Sequence, residues 1–217
     1  HLAELRTWSW SGQHEAMIEL ITARSSMLAF MLIASASYAA LLISPNLAVF
    51  AVHNGGLSPA RLADVYLLGG VMSVLAIPLT GRFVDSFGAA PVSIVVALVT
   101  TGLLGAVFIV SHVNDMLAVP LFAMVVAFQL VRSTVNQVWV TRVPFQALVA
   151  AVTNLAQAAG AASAPFLLDF APDGRLVGMD TVALLALLLT WAAPPLLLML
   201  DRVLAGRPSA LVPTSPS

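Results

Sequence analysis

The stretch Gly81-Arg82-Phe83-Val84-Asp85-Ser86-Phe87-Gly88 is a short charged segment that separates two long apolar runs. A glycine at each end favours a tight turn, because glycine tolerates backbone conformations that other residues avoid. The apolar runs cover residues 63–80 before the segment and 91–111 after it. A helix that crosses a membrane needs about 20 mostly apolar residues. The segment therefore predicts a polar hairpin between two membrane spans.

The composition of the whole chain agrees with a membrane protein. Of its 217 residues, 60% are hydrophobic and only 9% are charged, whereas about a quarter are charged in a typical soluble domain. So few charges cannot cover such an apolar core with a polar surface. The net charge of −1 excludes the basic surface that nucleic-acid-binding proteins use, so we expect no nucleic-acid partner.

Neither metal binding nor catalysis is indicated by the residues that usually carry them. The chain has no cysteine, and its four histidines are not spaced as ligand pairs. Disulfides and cysteine metal sites are therefore excluded, and we expect no metal ion and no other cofactor. A membrane-embedded serine protease would need a nucleophilic serine and a histidine within the membrane. Because His53 and His112 lie near the predicted outer loops, we do not expect an enzyme and name no catalytic residue.

Six apolar segments are long enough to cross a membrane, and we expect helices because a lone strand leaves backbone groups unpaired in lipid. Turn residues separate the segments, such as Asn54-Gly55-Gly56 and Asp173-Gly174. Ser58 and Pro59 are typical of a helix start, as N-cap and first residue. The predicted spans cover residues 27–51, 63–80, 91–111, 116–140, 144–168 and 181–200.

The arginines predict the orientation, since short cytoplasmic loops collect positive charge. One side of the predicted bundle carries Arg24, Arg82, Arg142, Arg202 and Arg207, and the other carries Arg61 and Arg175. We therefore expect both termini in the cytoplasm and the protein in a bacterial inner membrane. Residues 1–25 are predicted to be a cytoplasmic linker, 26–203 the six-helix bundle and 204–217 a disordered tail. Because the chain starts at His1 rather than methionine, we expect a fragment of a longer protein.

Polar residues of the fourth span share one continuous helical face, because their spacing is i, i+3, i+4, i+7 and i+8. They are Gln129, Arg132, Ser133, Asn136 and Gln137. A charge exposed to lipid inside a span costs several kcal/mol, so Arg132 must face protein, water or a substrate. Two interpretations stay open: Arg132 lines a substrate path, or it is a structural arginine that binds neighbouring carbonyl groups.

Three further spans carry polar residues that we predict to line the same path. These residues are Tyr38 and Asn46 in the first span, Tyr66 in the second, and Asn154 and Gln157 in the fifth. Tyr66 could instead anchor the span at the membrane interface. Gly160 and Ser163 favour close helix packing, because small residues let helices approach. The third and sixth spans lack a polar stripe, so we expect them at the lipid-facing periphery.

The pattern formed by Gly81, Asp85 and Gly88 resembles the cytoplasmic loop signature of the major facilitator superfamily, a family of secondary transporters. The run 64–70 is similar to the second helix of the carboxy-terminal half in the drug and sugar efflux branch. Arg132 is similar in position to the arginine of the family's fourth-helix motif. The chain departs from the signature at residues 86 and 89–91, where basic residues are usual.

The resemblance implies an all-α membrane protein in which six transmembrane helices form one half of a twelve-helix major-facilitator fold. This chain would supply helices seven to twelve. The implied function is efflux of a small drug or sugar by alternating access, coupled to protons. The implied partners are the substrate, the lipid bilayer and the amino-terminal six-helix half.

The same resemblance assigns a cytoplasmic gate motif to Gly81, Arg82, Asp85 and Gly88. Asp85 would contact the positive end of a helix in the other half, or it could simply cap its own turn. The alternative function is a self-contained six-helix membrane protein that acts as a dimeric transporter or an assembly subunit. A membrane-embedded enzyme is the remaining alternative.

Overall fold

The computed structural model describes residues 23–109, 115–140 and 146–205, without the side chains of residues 108–109, 115–116, 136–140 and 204–205. Within these ranges, six helices are long and apolar enough to cross a membrane. They are α1 (Arg24–His53), α2 (Leu62–Phe87), α3 (Ala89–Ile109), α4 (Asp115–Val140), α5 (Gln146–Ser163) and α6 (Met179–Ala205). The predicted class, a membrane protein built from helices, is therefore confirmed. The remainder of the predicted linker, Pro144 and the tail from residue 206 lie outside the described residues.

The helices match the predicted spans closely, except at two places. One is the end of the fifth span, where α5 ends at Ser163 and a short helical turn follows at Ala164–Phe166, whereas the predicted span continues to residue 168. The other is the charged segment that follows the second span. Helix α2 continues past residue 80 to Phe87, and the chain reverses only at Gly88, where φ is +86°. The prediction of a polar turn is therefore wrong for Gly81–Phe87, which forms the last two turns of the helix. A charged helix end can extend beyond the apolar layer because water hydrates it there. The left-handed glycine then ends the helix.

Helices α1 and α4 form the centre of the bundle. Helix α1 packs chiefly against α5 and α6, while α4 packs chiefly against α2 and α3. The two central helices also contact each other, and α3 packs against α6. If α1, α2 and α3 are exchanged with α4, α5 and α6 in that order, the main pairs of contacting helices stay the same. Because successive spans run in opposite directions, the bundle consists of two three-helix units with inverted orientation.

Each of the two most extensive pairings contains a glycine at its point of close approach. Gly160 of α5 lies against Tyr38 of α1, where an added Cβ would overlap the tyrosine carbonyl oxygen. Gly69 of α2 lies against α4, where a Cβ would stand 3.0 Å from the carbonyl oxygen of Ala123. Small residues therefore let these helix backbones approach each other, and the prediction that Gly160 serves packing is confirmed.

Two neighbouring glycines of α2 offer a matched test of this packing. We expect Gly69→Ala to lower the free energy of unfolding by about 1–3 kcal/mol, the usual effect of overpacking. Gly70→Ala should raise it by about 0.5–1 kcal/mol, since nothing lies within 4 Å and alanine favours a helix. The unfolding midpoint of the intact protein in detergent measures both effects. Equal midpoints for the two variants would contradict the pairing of α2 with α4.

A short β-hairpin between α5 and α6 is clamped to the end of α1. Strand β1 (Asp169–Phe170) pairs antiparallel with β2 (Leu176–Val177). The side-chain amide of Asn54 donates to the carbonyl oxygen of Leu176 and accepts from its N–H, both at 2.9 Å. The ring Nδ1 of His53 lies 2.9 Å from the carbonyl oxygen of Gly174. The hairpin thereby ties the ends of three helices together.

Removal of the Asn54 amide is expected to loosen this hairpin. Asn54→Ala leaves both backbone groups of Leu176 without their partner, which should cost about 1–3 kcal/mol. Ser58→Ala is the control: Ser58 does precede a short helical turn with Pro59 at its first position, as predicted, but its side chain makes no capping hydrogen bond. Amide hydrogen exchange should quicken at residue 176 in the first variant only. Unchanged exchange there would show that the clamp is not formed.

Candidate functional site

Arg132 is buried between the central helices and α6, with 4% of its surface exposed. Its Nη1 donates to the hydroxyl oxygen of Thr190 at 2.7 Å, and its Nη2 donates to the carbonyl oxygen of Ala36 at 3.4 Å. Thr190 in turn donates to the carbonyl oxygen of Ala186 at 2.7 Å. The guanidinium group therefore connects α4 with both α6 and α1, as a structural arginine would. A place for Arg132 in a substrate path stays a prediction.

Gln129 lies one turn before Arg132 on α4 and is 8% exposed. Among the described residues, neither amide atom of Gln129 has a hydrogen-bond partner, and neither does Nε of Arg132. The hydroxyl oxygen of Thr100 on α3 is also buried and unpaired. Buried polar atoms in proteins are nearly always hydrogen-bonded. Three unpaired atoms on one helix turn are therefore unusual, and they mark this turn as a candidate site.

No described carboxylate is placed to neutralise Arg132. The aspartates with described side chains lie near helix ends or in the outer hairpin; they are Asp64, Asp85, Asp169, Asp173, Asp180 and Asp201. Asp115 is the first residue of α4, and its side chain lies outside the described part of the chain. Even Asp201, on the same helix as Thr190, is eleven residues further on, or about 16 Å along a helix. Within the described part of the chain, the guanidinium group is thus paired with neutral groups only.

Tyr38 and Asn46, both predicted to line a path, are hydrogen-bonded within the bundle. The Tyr38 hydroxyl donates to the hydroxyl oxygen of Ser163 at 2.7 Å, and Ser163 donates to the carbonyl oxygen of Gly160 at 2.9 Å. The Asn46 amide donates to the carbonyl oxygen of Leu42 in its own helix at 2.8 Å. Tyr38 therefore belongs to the contact between α1 and α5.

Ser133 follows Arg132 on α4, while Tyr66, Asn154 and Gln157 lie on α2 and α5 and, within the described ranges, make no hydrogen bond with Arg132. Ser133 and Gln157 are half-buried, whereas Asn154 is exposed on α5 and Tyr66 is 47% exposed on α2. The side chains of residues 136 and 137 lie outside the described part of α4. The predicted substrate path along the first, second, fourth and fifth spans therefore stays a prediction.

The predicted gate motif lies at the exposed end of α2. Arg82 and Asp85 are exposed, and within the described chain neither makes a hydrogen bond or an ion pair. Asp85 therefore does not cap its own turn, which removes one of its two interpretations. A Cβ at Gly81 would meet nothing within 4 Å, so the backbone requires glycine only at Gly88. The contact of Asp85 with another half stays a prediction.

Sequence reasoning missed Thr190 as the partner of Arg132. The residue is a single hydroxyl near the middle of an otherwise apolar sixth span, and that isolation is the signal that could have indicated it. A threonine in a membrane helix usually bonds its own backbone, as Thr190 does. It can also accept a hydrogen bond from elsewhere, but the sequence does not reveal which helix packs against it.

An apolar groove of about 540 Å³ separates the end of α2 from the start of α3. Its lining is almost entirely hydrocarbon and includes Phe83, Phe87 and Phe128. The hydroxyl group of Thr80, which also lines it, donates to the carbonyl oxygen of Ala76 in the same helix at 2.8 Å. The groove thus offers a polar ligand no free partner, unlike the turn that holds Gln129 and Arg132.

Helices α2 and α5 are the least buried spans of the bundle. In the most apolar stretch of each of these two helices only 17% is buried inside the bundle, against 39–50% in the other four helices. The exposed face of α5 is mostly alanine, at Ala147, Ala150, Ala151, Ala158, Ala159, Ala161 and Ala162. These two helices are equivalent under the exchange of the three-helix units, so the bundle presents two matching uncovered faces.

No protein-family model, no curated protein and no solved structure matches the chain. The fold and the site therefore define its class by themselves: a helical membrane protein with six spans, an inverted arrangement of two three-helix units and a buried arginine at its centre.

Proposed function

We propose that the chain is one six-helix half of a major-facilitator-type secondary transporter that exports a small drug or sugar. The inverted pairing of α1–α3 with α4–α6 carries this proposal. Inverted repeats of three helices are the building units of each six-helix half in such transporters.

The uncovered faces of α2 and α5 support the position of this bundle as one half of a larger protein. An alanine-rich helix face permits another helix to approach closely. We assign these faces to the amino-terminal six-helix half, with which the bundle would rock around a midplane site to give alternating access. We assign both termini and Gly88 to the cytoplasm because short cytoplasmic loops collect arginine, and in this orientation Arg82 and Asp85 form part of the cytoplasmic gate.

The chemistry of the proposed transport follows from the polar residues of the spans. Tyr38, Arg132 and Gln157 supply hydroxyl, guanidinium and amide groups, which suit a polar organic substrate. The described span interiors contain no aspartate or glutamate, so the carboxylate that couples transport to protons is assigned to the other half.

Accumulation of dyes, drugs and sugars in cells that lack their own efflux pumps tests the proposal. The intact gene should lower accumulation of at least one compound, and Arg132→Ala should abolish this effect at equal membrane expression. Arg202→Gln, which removes an exposed arginine at the end of α6, should export normally. A gene without a second six-helix bundle, whose product changes no accumulation, would overturn the proposal. Export by a six-helix product alone would favour the dimeric alternative.

A further inference from the structure

We infer that Gln129 and Arg132 form a buried site for one monovalent anionic group, either a halide ion or the carboxylate of an organic molecule. The site goes beyond the proposed function, because it binds an anion whether or not the protein transports one. If the proposed function holds as well, the anionic group belongs to the exported substrate.

The first argument is charge. Arg132 is 4% exposed, and its guanidinium group carries a full positive charge, which is costly in a protein interior unless a charge of opposite sign compensates it. Thr190 and the carbonyl group of Ala36 are both neutral partners. The described carboxylates lie near helix ends or in the outer hairpin. A single bound anion would neutralise the site.

The second argument is the set of free donors. Nη1 of Arg132 is engaged at 2.7 Å, Nη2 makes only a long bond of 3.4 Å, and Nε makes none. The edge that carries Nε–H and an adjoining Nη–H is the one that binds a carboxylate through two parallel hydrogen bonds. The unpaired amide group of Gln129, one turn away, supplies a further N–H. Its oxygen remains an acceptor for a hydroxyl group or a water molecule.

The third argument is size. Because Gln129 and Arg132 are only 8% and 4% exposed, an anion bound there would be enclosed by the bundle, and only a small group could be accommodated. A halide ion or one carboxylate meets that limit. One guanidinium group balances one negative charge, so a monovalent group fits the site better than a doubly charged phosphate.

Thermal unfolding of the intact purified protein in detergent tests the site. Bromide and formate are the probes, added at constant ionic strength against gluconate, which is too large to enter. A ligand that binds only the folded state raises the unfolding temperature in a saturable way. We expect such a rise with wild type and with Arg202→Gln, which loses an exposed arginine, and none with Arg132→Gln.

Two further variants keep the result interpretable if Arg132→Gln does not fold. Gln129→Leu should raise the apparent dissociation constant of the anion roughly tenfold, which is the effect of one lost hydrogen bond to a charged group. Arg132→Lys keeps the charge but not the paired donors, so it should retain bromide binding and lose most formate binding. Equal responses in all variants, or no response in wild type, would overturn the inference.

The two probes also separate the sources of the anion. Stabilisation by bromide alone identifies a halide site, and a bromide peak beside Nε of Arg132 in anomalous diffraction would locate it. Stabilisation by formate, and more strongly by glycolate, a small carboxylate whose hydroxyl group can also bond the Gln129 oxygen, identifies a substrate carboxylate. Unfolding is measured without a transmembrane gradient, so it reports anion binding and not transport. The protein can bind the anion without exporting a compound, and it can export a compound without binding the anion. The two proposals are therefore tested independently.

Discussion

Replacing Gly160 by alanine is expected to lower the free energy of unfolding by about 3 kcal/mol, the upper part of the usual range for overpacking. The added Cβ would overlap the carbonyl oxygen of Tyr38. A backbone atom cannot rotate away as a side chain can, so α1 and α5 must separate. Their separation would also break the hydrogen bond between Tyr38 and Ser163.

Gly102→Ala in α3 is the matched control, because nothing lies within 4 Å of a Cβ there. Denaturant titration of the two variants in the same detergent gives the comparison. Only the Gly160 variant should lose stability, and a Tyr38→Phe change made in its background should then have little further effect. If the Gly160 and Gly102 variants are equally stable, α5 does not pack against α1 as described.

The second large effect is a separation of function from stability at Arg132. We expect Arg132→Met to abolish export while leaving the folded protein as stable as wild type, or more stable by about 1–4 kcal/mol. A methionine of similar length fills the space without a buried charge. Thr190 keeps its bond to the carbonyl oxygen of Ala186, and the carbonyl oxygen of Ala36 loses only a long hydrogen bond of 3.4 Å.

The measurement combines an export assay with an unfolding curve on the same purified preparations, with no added halide or carboxylate. Arg132→Lys is the companion variant, since it preserves the charge and should retain partial export. A methionine variant that exports normally would remove Arg132 from the transport machinery. One that unfolds readily would show that the arginine stabilises the fold, which contradicts the predicted separation of function from stability.

The six spans could be predicted from the sequence because the apolar runs are long and separated by turn residues. The end of α2 could not, because hydropathy locates the membrane edge and not the helix end. Arg82 and Asp85 leave the apolar layer, yet neither breaks a helix. Only the positive φ of Gly88 does so, and the sequence alone offered two glycines for that role.

The candidate site was partly predictable, since a charge inside a span cannot face lipid. The partners of Arg132 could not be predicted, because they depend on which helices pack together. Ala36 contributes a backbone carbonyl group, and because every residue has one, the sequence does not single out this position. Gly69 and Gly70 likewise look the same in the sequence, although only Gly69 faces α4 at close range.

Reconstitution of the intact purified protein into liposomes tests the central claim most directly. An imposed pH gradient should drive uptake of a compound whose accumulation the protein lowers in cells. Arg202→Gln should match wild type, and both Arg132→Ala and collapse of the gradient should abolish the uptake. Equal uptake in wild-type and protein-free liposomes, with the protein folded and correctly inserted, would contradict the assignment as half of a secondary transporter.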